Sequence, residues 1–126
     1  MIEALFSQPS YVATKKMMDA TALRHEAIAS NLANVETPGY KRIDVAPNFK
    51  EQLRAALGSH DPSALGALSP RLLEDSNAVA RTKDGNTVEL ESEMMNLNQN
   101  TVAHALETQL VSGTLMKLRL AITGRA

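Results

Sequence analysis

Arg24-His25-Glu26-Ala27-Ile28-Ala29 sets a histidine beside a glutamate within a helical run. A zinc-protease helix begins this way, and it needs a second histidine four positions after the first to complete the metal pair. That position is Ala29, so His25 and Glu26 cannot make the metal pair, and His25 reads as a polar residue on the first helix. His60 stands beside Asp61 in a turn-rich stretch where solvent exposure accounts for both, and His104 falls within an apolar repeat as a packed or hydrogen-bonded side chain. Three scattered histidines make no ligand cluster. Glu89, Glu91 and Glu93 alternate; in an extended chain they form one charged edge, whereas acid–base chemistry needs opposing groups. With no cysteine, thiolate catalysis, disulfides and Cys-ligated zinc are all excluded. No glycine-rich phosphate loop occurs. The sequence therefore assigns no catalytic, metal-binding or cofactor-binding residue, and the expectation is a non-enzyme without a cofactor.

What remains must be carried by shape and surface. The 126 residues suffice for one domain with a core. Forty-four per cent are hydrophobic, but with two Phe, two Tyr and no Trp the packing has to be aliphatic, with six methionines available. Thirteen basic and 14 acidic residues leave a net charge of −1, which offers no bulk field to attract nucleic acid or an anionic membrane. No segment approaches the roughly 18 apolar residues of a membrane span, so direct membrane insertion is not expected. The opening lacks a basic region, and its apolar cluster from Ile2 to Phe6 is broken by Glu3. It does not fit a cleaved signal peptide.

Three zones follow along the chain. From Ser10, a plausible N-cap, to Asn34 there is no Pro or Gly, which predicts a helix of about 25 residues, roughly 37 Å long. Its apolar residues occupy more than one face: Tyr11, Met18, Ile28, Leu32 and Val35 share a heptad register, while Val12, Leu23 and several alanines flank it. The middle zone carries Pro47, Pro62, Pro70, Gly58 and Gly66. Only Phe49–Leu57 reads as helical there, and "GSHDPSALGALSPRLL" has the composition of a mobile loop. Asp84-Gly85, between two short alternating arms, predicts a hairpin. In the last zone Met94, Leu97, Thr101, His104, Thr108, Val111, Leu115, Leu118 and Ile122 are spaced 3-4-3-4, a sustained helical seam. A second stripe, Met95, Val102, Leu106 and Leu110, runs beside it. Acidic residues open this helix and Lys117, Arg119 and Arg125 close it, complementing its dipole.

The first helix stops at "IASNLANVETPGYKR". Pro38 fixes its own φ and pushes Thr37 out of the helical region, Gly39 can supply the positive φ of a type II turn, and Asn34 is a candidate left-handed cap. The setting is more specific than the turn. Asn31, Leu32, Ala33, Asn34, Thr37, Pro38, Gly39, Tyr40 and Lys41 after a long N-terminal helix closely resemble the signature of bacterial flagellar basal body rod and hook proteins. "DGNTVELESEM", Asp84 to Met94, and "LVSGTLMKLRLAI", Leu110 to Ile122, are similar to the short proximal-rod members of that family. Ser59–Leu73 has no recognisable counterpart, and His104 stands where an aromatic residue is expected.

The resemblance implies a mainly α fold with long N-terminal (9–36) and C-terminal (89–123) helices packed as an antiparallel coiled-coil-like pair. A loop-rich middle with a short hairpin (37–88) would lie between them in a single domain spanning 1–126. It implies a structural subunit of the proximal rod that assembles helically across the periplasm and is exported without a cleaved signal peptide. The implied partners are other rod proteins, the rod adaptor at the export gate and inner-membrane ring, and copies of itself. The candidate assembly interface is Met18, Ile28 and Leu32 with Leu97, Val111, Leu115, Leu118 and Ile122. A soluble helical adaptor or export chaperone shares the amphipathic helices but gives no reason for Thr37-Pro38-Gly39-Tyr40. A small cell-wall hydrolase would need paired acids in a cleft.

Overall fold

The computed structural model describes residue 4 and residues 6–125; Ile2, Glu3 and Leu5 of the apolar opening lie outside the described residues. Helix α1, Pro9–Ala33, starts one residue before the expected cap. Gln8 is the N-cap and Pro9 occupies the first turn, where its missing N–H costs nothing. After α1 come β1 (Ile43–Val45), α2 (Phe49–Gly58), α3 (Pro62–Ala67), β2 (Leu72–Glu74) and α4 (Leu90–Thr123). Gly124, at φ 63°, closes α4 with a left-handed cap.

The exit of α1 departs from expectation at one residue. Asn34 has φ −110° and is not left-handed. Its amide instead donates to the Ser30 carbonyl (2.8 Å), while its Oδ1 accepts from the Thr37 hydroxyl (3.1 Å). The left-handed residue is Gly39, φ 72°, in a turn closed by Tyr40 N–H donating to Thr37 O at 3.3 Å. Proline before a positive-φ glycine is the chemistry of a type II turn.

The middle zone is more ordered than its composition implies. Asp61 caps α3 by accepting from Ser63 N–H (2.9 Å) and the Ser63 hydroxyl (2.6 Å). Leu65, only 3% exposed, joins Ala13, Phe49, Leu53 and Ala56 in the core, with Val12, Ala20 and Leu68 packed around it. The stretch expected to be a mobile loop thus closes the hydrophobic core against the first half of α1. The strands also lie elsewhere than expected. β1 and β2 pair antiparallel with Ile43 opposite Glu74 and Val45 opposite Leu72, and the Asp84-Gly85 turn has no strand on either side. Its arms are too short to hold as a hairpin, and Asn86 is engaged by the end of α1, as described below.

The two long helices run antiparallel: Asn31 meets Glu93, Arg24 meets Asn96, and Thr21 meets both Asn100 and Glu107. On α4 the buried positions are Glu93, Asn100 and Glu107, a heptad repeat of polar residues. The expected apolar seam is therefore rotated by one residue, about 100° of helix. Leu97, Val111 and Leu118 sit half-buried at its border, while Met94, Leu115 and Ile122 are exposed. Hydrogen-bonding partners on α1, with Arg42 just before β1, choose this face.

Leu65→Ala tests whether the middle zone is structural. The expected loss is about 2–4 kcal/mol of unfolding free energy, measured by urea denaturation; a change within about 0.5 kcal/mol, as on a free surface loop, would contradict the assignment.

Candidate assembly interface

Two features frame the site, a polar junction that fastens the ends of the chain together and the faces this leaves outside. The junction begins with Asn31, which has no exposed surface. Its amide group pairs with the main chain of Ile43 as a neighbouring strand would: Nδ2 donates to the carbonyl (2.9 Å), and Oδ1 accepts from the N–H (3.0 Å). Nδ2 also donates to Glu93 Oε2 at 3.2 Å, and Tyr40 Oη to Asn31 Oδ1 at 3.2 Å.

Glu93 is completely buried and must be neutralised. Arg42 Nε donates to Glu93 Oε1, while its terminal nitrogens reach Asp75 Oδ2 (2.7 Å) and Asp44 Oδ2 (2.9 Å). Asp44 is also held by Arg24 at 3.2 Å. Burial works against the Arg42 charge, but the hydrogen bonds to Glu93 and Asp44, with their fields, outweigh it and hold the guanidinium pKa above its ordinary value. One cation thereby ties α4, β1 and the segment after β2 together.

Asn86 provides the second fastening. Its Nδ2 lies within donating distance of the carbonyls of Asn34 (2.8 Å), Val35 (3.0 Å) and Thr37 (2.9 Å), in the turns through which the chain leaves α1. Gly39 N–H donates to Asp84 O at 2.8 Å, Thr87 N–H to Tyr40 O at 3.1 Å, and Lys41 Nζ to Gly85 O at 3.1 Å. The two turns are close enough that a Cβ on Gly85 would sit 3.9 Å from Gly39 Cα, and both glycines have positive φ. The two sequence motifs are thus halves of one clasp. Of the signature residues, Asn31 is buried and Leu32, Asn34 and Tyr40 half-buried, whereas Ala33, Thr37, Pro38, Gly39 and Lys41 remain exposed.

Reading the sequence residue by residue missed the roles of Arg42, Asn86 and Glu93. Their only signal was position: Arg42 follows the signature directly, and the other two lie in Asp84–Met94. His25 and Glu26 are exposed, as are His60 and Asp61, and Glu89 pairs with Arg81 at 2.6 Å. His104 is also exposed, with Nδ1 3.4 Å from the Thr21 hydroxyl. No group of three or more candidate metal ligands occurs among the described residues.

With polar groups turned inward, apolar ones face outward. The second stripe of α4 lies outside: Met95, Val102, Leu106 and Leu110 are 62%, 69%, 58% and 54% exposed. Farther along, Leu115, Met116, Leu120 and Ile122 are exposed too. A Cβ on Gly113 would meet nothing within 4 Å, so inside the subunit that glycine admits no neighbour. Of the candidate interface, Leu115 and Ile122 are outside, while Met18, Leu32, Leu97, Val111 and Leu118 lie at the edges of the helix pair. Ile28, 1% exposed, belongs to the chain's own interior. That placement withdraws it from direct contact with another subunit.

Residues 18–41, which run from α1 through the clasp turn, match the flagella basal body rod protein family. The similarity extends over most of the chain. The flagellar basal body rod protein FlgB of Cereibacter sphaeroides is 30% identical over 114 residues, covering 80% of this chain and 84% of the relative. The chain belongs to the FlgB family. FlgB of Aquifex aeolicus is 29% identical over 114 residues (89% and 91% covered), and FlgB of Borrelia hermsii 28% over 125 residues (85% and 90%). These matches cover 80–89% of the chain, so the FlgB resemblance is not confined to the signature.

Two outcomes test the junction. Arg42→Ala leaves Glu93 buried without a counter-charge and is expected to cost about 3–5 kcal/mol in urea unfolding, with Arg42→Met/Glu93→Leu recovering much of it; a neutral Arg42→Ala would refute the role. The second concerns Asp84, whose carboxyl is held below its ordinary pKa by the Thr82 hydroxyl and Asn86 N–H. A depressed folded-state pKa contributes stability that is fully present above the ordinary carboxylate pKa and is lost as pH falls through the depressed one. In Thr82→Val the Asp84 NMR titration midpoint should therefore rise; an unchanged midpoint would contradict the contact.

Proposed function

We propose that this chain is a structural subunit of the flagellar basal body rod, assembling through the outer faces of its two long helices. The observation that carries the reading is the inversion on α4, where Glu93, Asn100 and Glu107 face α1 while Met95, Val102, Leu106 and Leu110 face out. A contiguous exposed apolar row marks a surface made for other chains. One apolar row on each subunit, meeting a different surface on the next, generates an open helical array instead of a closed pair.

FlgB-family membership supports association with other basal body components. The finer assignment is to the proximal rod, spanning the periplasm near the export gate and inner-membrane ring. There the adaptor, other rod proteins and further copies of this chain are the neighbours. The proposed contact residues are Met18, Leu32, Leu97, Val111, Leu115, Leu118 and Ile122 with the outer stripe of α4, and the subunit works by transmitting force without catalysis. No helix among the described residues is long and apolar enough to cross a membrane. A cytoplasmic adaptor or export chaperone is less well supported, because it leaves the FlgB likeness over most of the chain without a reason.

Leu106→Asp and Leu115→Asp should leave unfolding free energy within about 0.5 kcal/mol, since both side chains are exposed. They should nevertheless abolish recovery of the chain in purified basal bodies and stop swimming; normal motility with normal incorporation in both variants would sink this reading.

A further inference from the structure

The outer edge of β2 is open. The register of Ile43 with Glu74 and Val45 with Leu72, together with the bonds from Asp75 N–H to Arg42 O (2.8 Å) and from Ala46 N–H to Arg71 O (2.9 Å), makes Asp44 and Leu73 a hydrogen-bonded pair and leaves the pairs on either side non-bonded. The N–H and C=O of Leu72 and Glu74 therefore point away from β1. They have no hydrogen-bond partner among the described residues. On the far side of the sheet the equivalent groups of Ile43 are taken by the Asn31 amide, so α1 closes one edge and no described residue closes the other. Leu73, between the two open positions, is 44% exposed. The residues that follow β2 leave the edge uncovered, because Arg81 is drawn to Glu89 and Asp84–Thr87 belong to the clasp.

We infer that two copies of this chain pair through this edge, β2 against β2, antiparallel about a twofold axis at Leu73. An open strand edge is a template for a further strand, and here the strand is its own complement. Leu72 of each copy faces Glu74 of the other, so their outward N–H and C=O groups satisfy one another. Leu73 meets its counterpart across the axis in a non-bonded pair, the type in which side chains lie closest, and the two uncovered leucines shield each other. On the same face Arg71, exposed and without an ion pair among the described residues, stands opposite Asp75 of the second copy. A parallel partner would set Arg71 on Arg71 and Asp75 on Asp75, so the charge order of Arg71-Leu72-Leu73-Glu74-Asp75 selects the antiparallel copy. The two Glu74 carboxylates fall diagonally, at opposite ends of the ladder, where both are exposed and solvent screens them. A twofold pair closes on itself and cannot repeat along a helical array. The contact thus goes beyond the rod reading: it is a form of the free subunit, made by a surface other than the long helices.

The sequence has no cysteine, so a single introduced thiol reports on the axis. Residues opposed in a non-bonded antiparallel pair have Cα atoms about 4.5 Å apart, within the roughly 4.4–6.8 Å that a disulfide spans. Under mild oxidation of the concentrated full chain, Leu73→Cys should give covalent dimer at least roughly tenfold faster than Ala80→Cys, an exposed control outside the strand. Both variants carry Leu106→Asp/Leu115→Asp, which removes the proposed α4 contact from the measurement. Adding Leu72→Pro takes away one outward N–H and spares the ladder to β1, while adding Arg71→Glu sets an acid against Asp75. Each should bring the rate down to that of the control, with the circular dichroism spectrum and the urea midpoint unchanged. Equal rates for Leu73→Cys and Ala80→Cys, or a fast rate that survives both additions, would overturn the pairing. The two readings fail separately: a wild-type chain missing from purified basal bodies removes the rod reading and leaves the rate comparison standing, whereas equal rates remove the paired sheet and leave incorporation untouched.

Discussion

A glutamate with no solvent contact cannot stay charged without a partner, and Glu93 obtains its partner from the far side of the signature turn. The guanidinium of Arg42 reaches Glu93 only if the chain reverses sharply after α1 and brings residues 40–44 back along the helix. The type II turn at Pro38-Gly39, the Asn31 amide on Ile43, and Asn86 on the carbonyls beyond α1 are the means of that reversal. Asp44 and Asp75 then draw β1 and the end of β2 to the same cation. The register of the two long helices, the position of the small sheet and the site of the turn all follow from satisfying one buried carboxylate.

This junction determines what the surface looks like. A polar ladder between α1 and α4 sets which side of α4 faces inward, as buried polar residues do in other helix pairs where register matters more than maximal stability. The apolar residues that would normally seal such a pair are left outside, and the hydrophobic core forms elsewhere, between the first half of α1 and α2–α3. The subunit therefore has an interior that specifies one arrangement and an exterior whose aliphatic surface is still uncovered.

Several parts were legible from residue types alone. The spans of α1, α2 and α4 follow from periodicity and the placement of Pro and Gly, and Gly39 at positive φ follows from the turn it must complete. The hairpin was misplaced because Asp84-Gly85 is a good turn in any context, and nothing local reveals that Asn86 is already committed to carbonyls some 50 residues away. The stretch around Leu65 read as loop because its small residues, prolines and glycine lower local propensity; its order comes from burying one leucine against α1.

The sequence by itself determined the helices, the sharp stop at Thr37-Pro38-Gly39-Tyr40 and the family likeness, since propensity, φ restriction and motif are properties of short segments. Only the tertiary structure decided which face of α4 is inside. Two stripes with equally good helical spacing lay on adjacent faces, and apolar periodicity cannot choose between them. The choice was made by Asn31, Arg42 and Thr21, whose donors lie in other elements and must meet Glu93 and Glu107. A buried polar group without a partner costs more than an exposed leucine, so the polar positions turned inward, the predicted seam was left at the border with Leu97, Val111 and Leu118 half-buried, and the second stripe turned out.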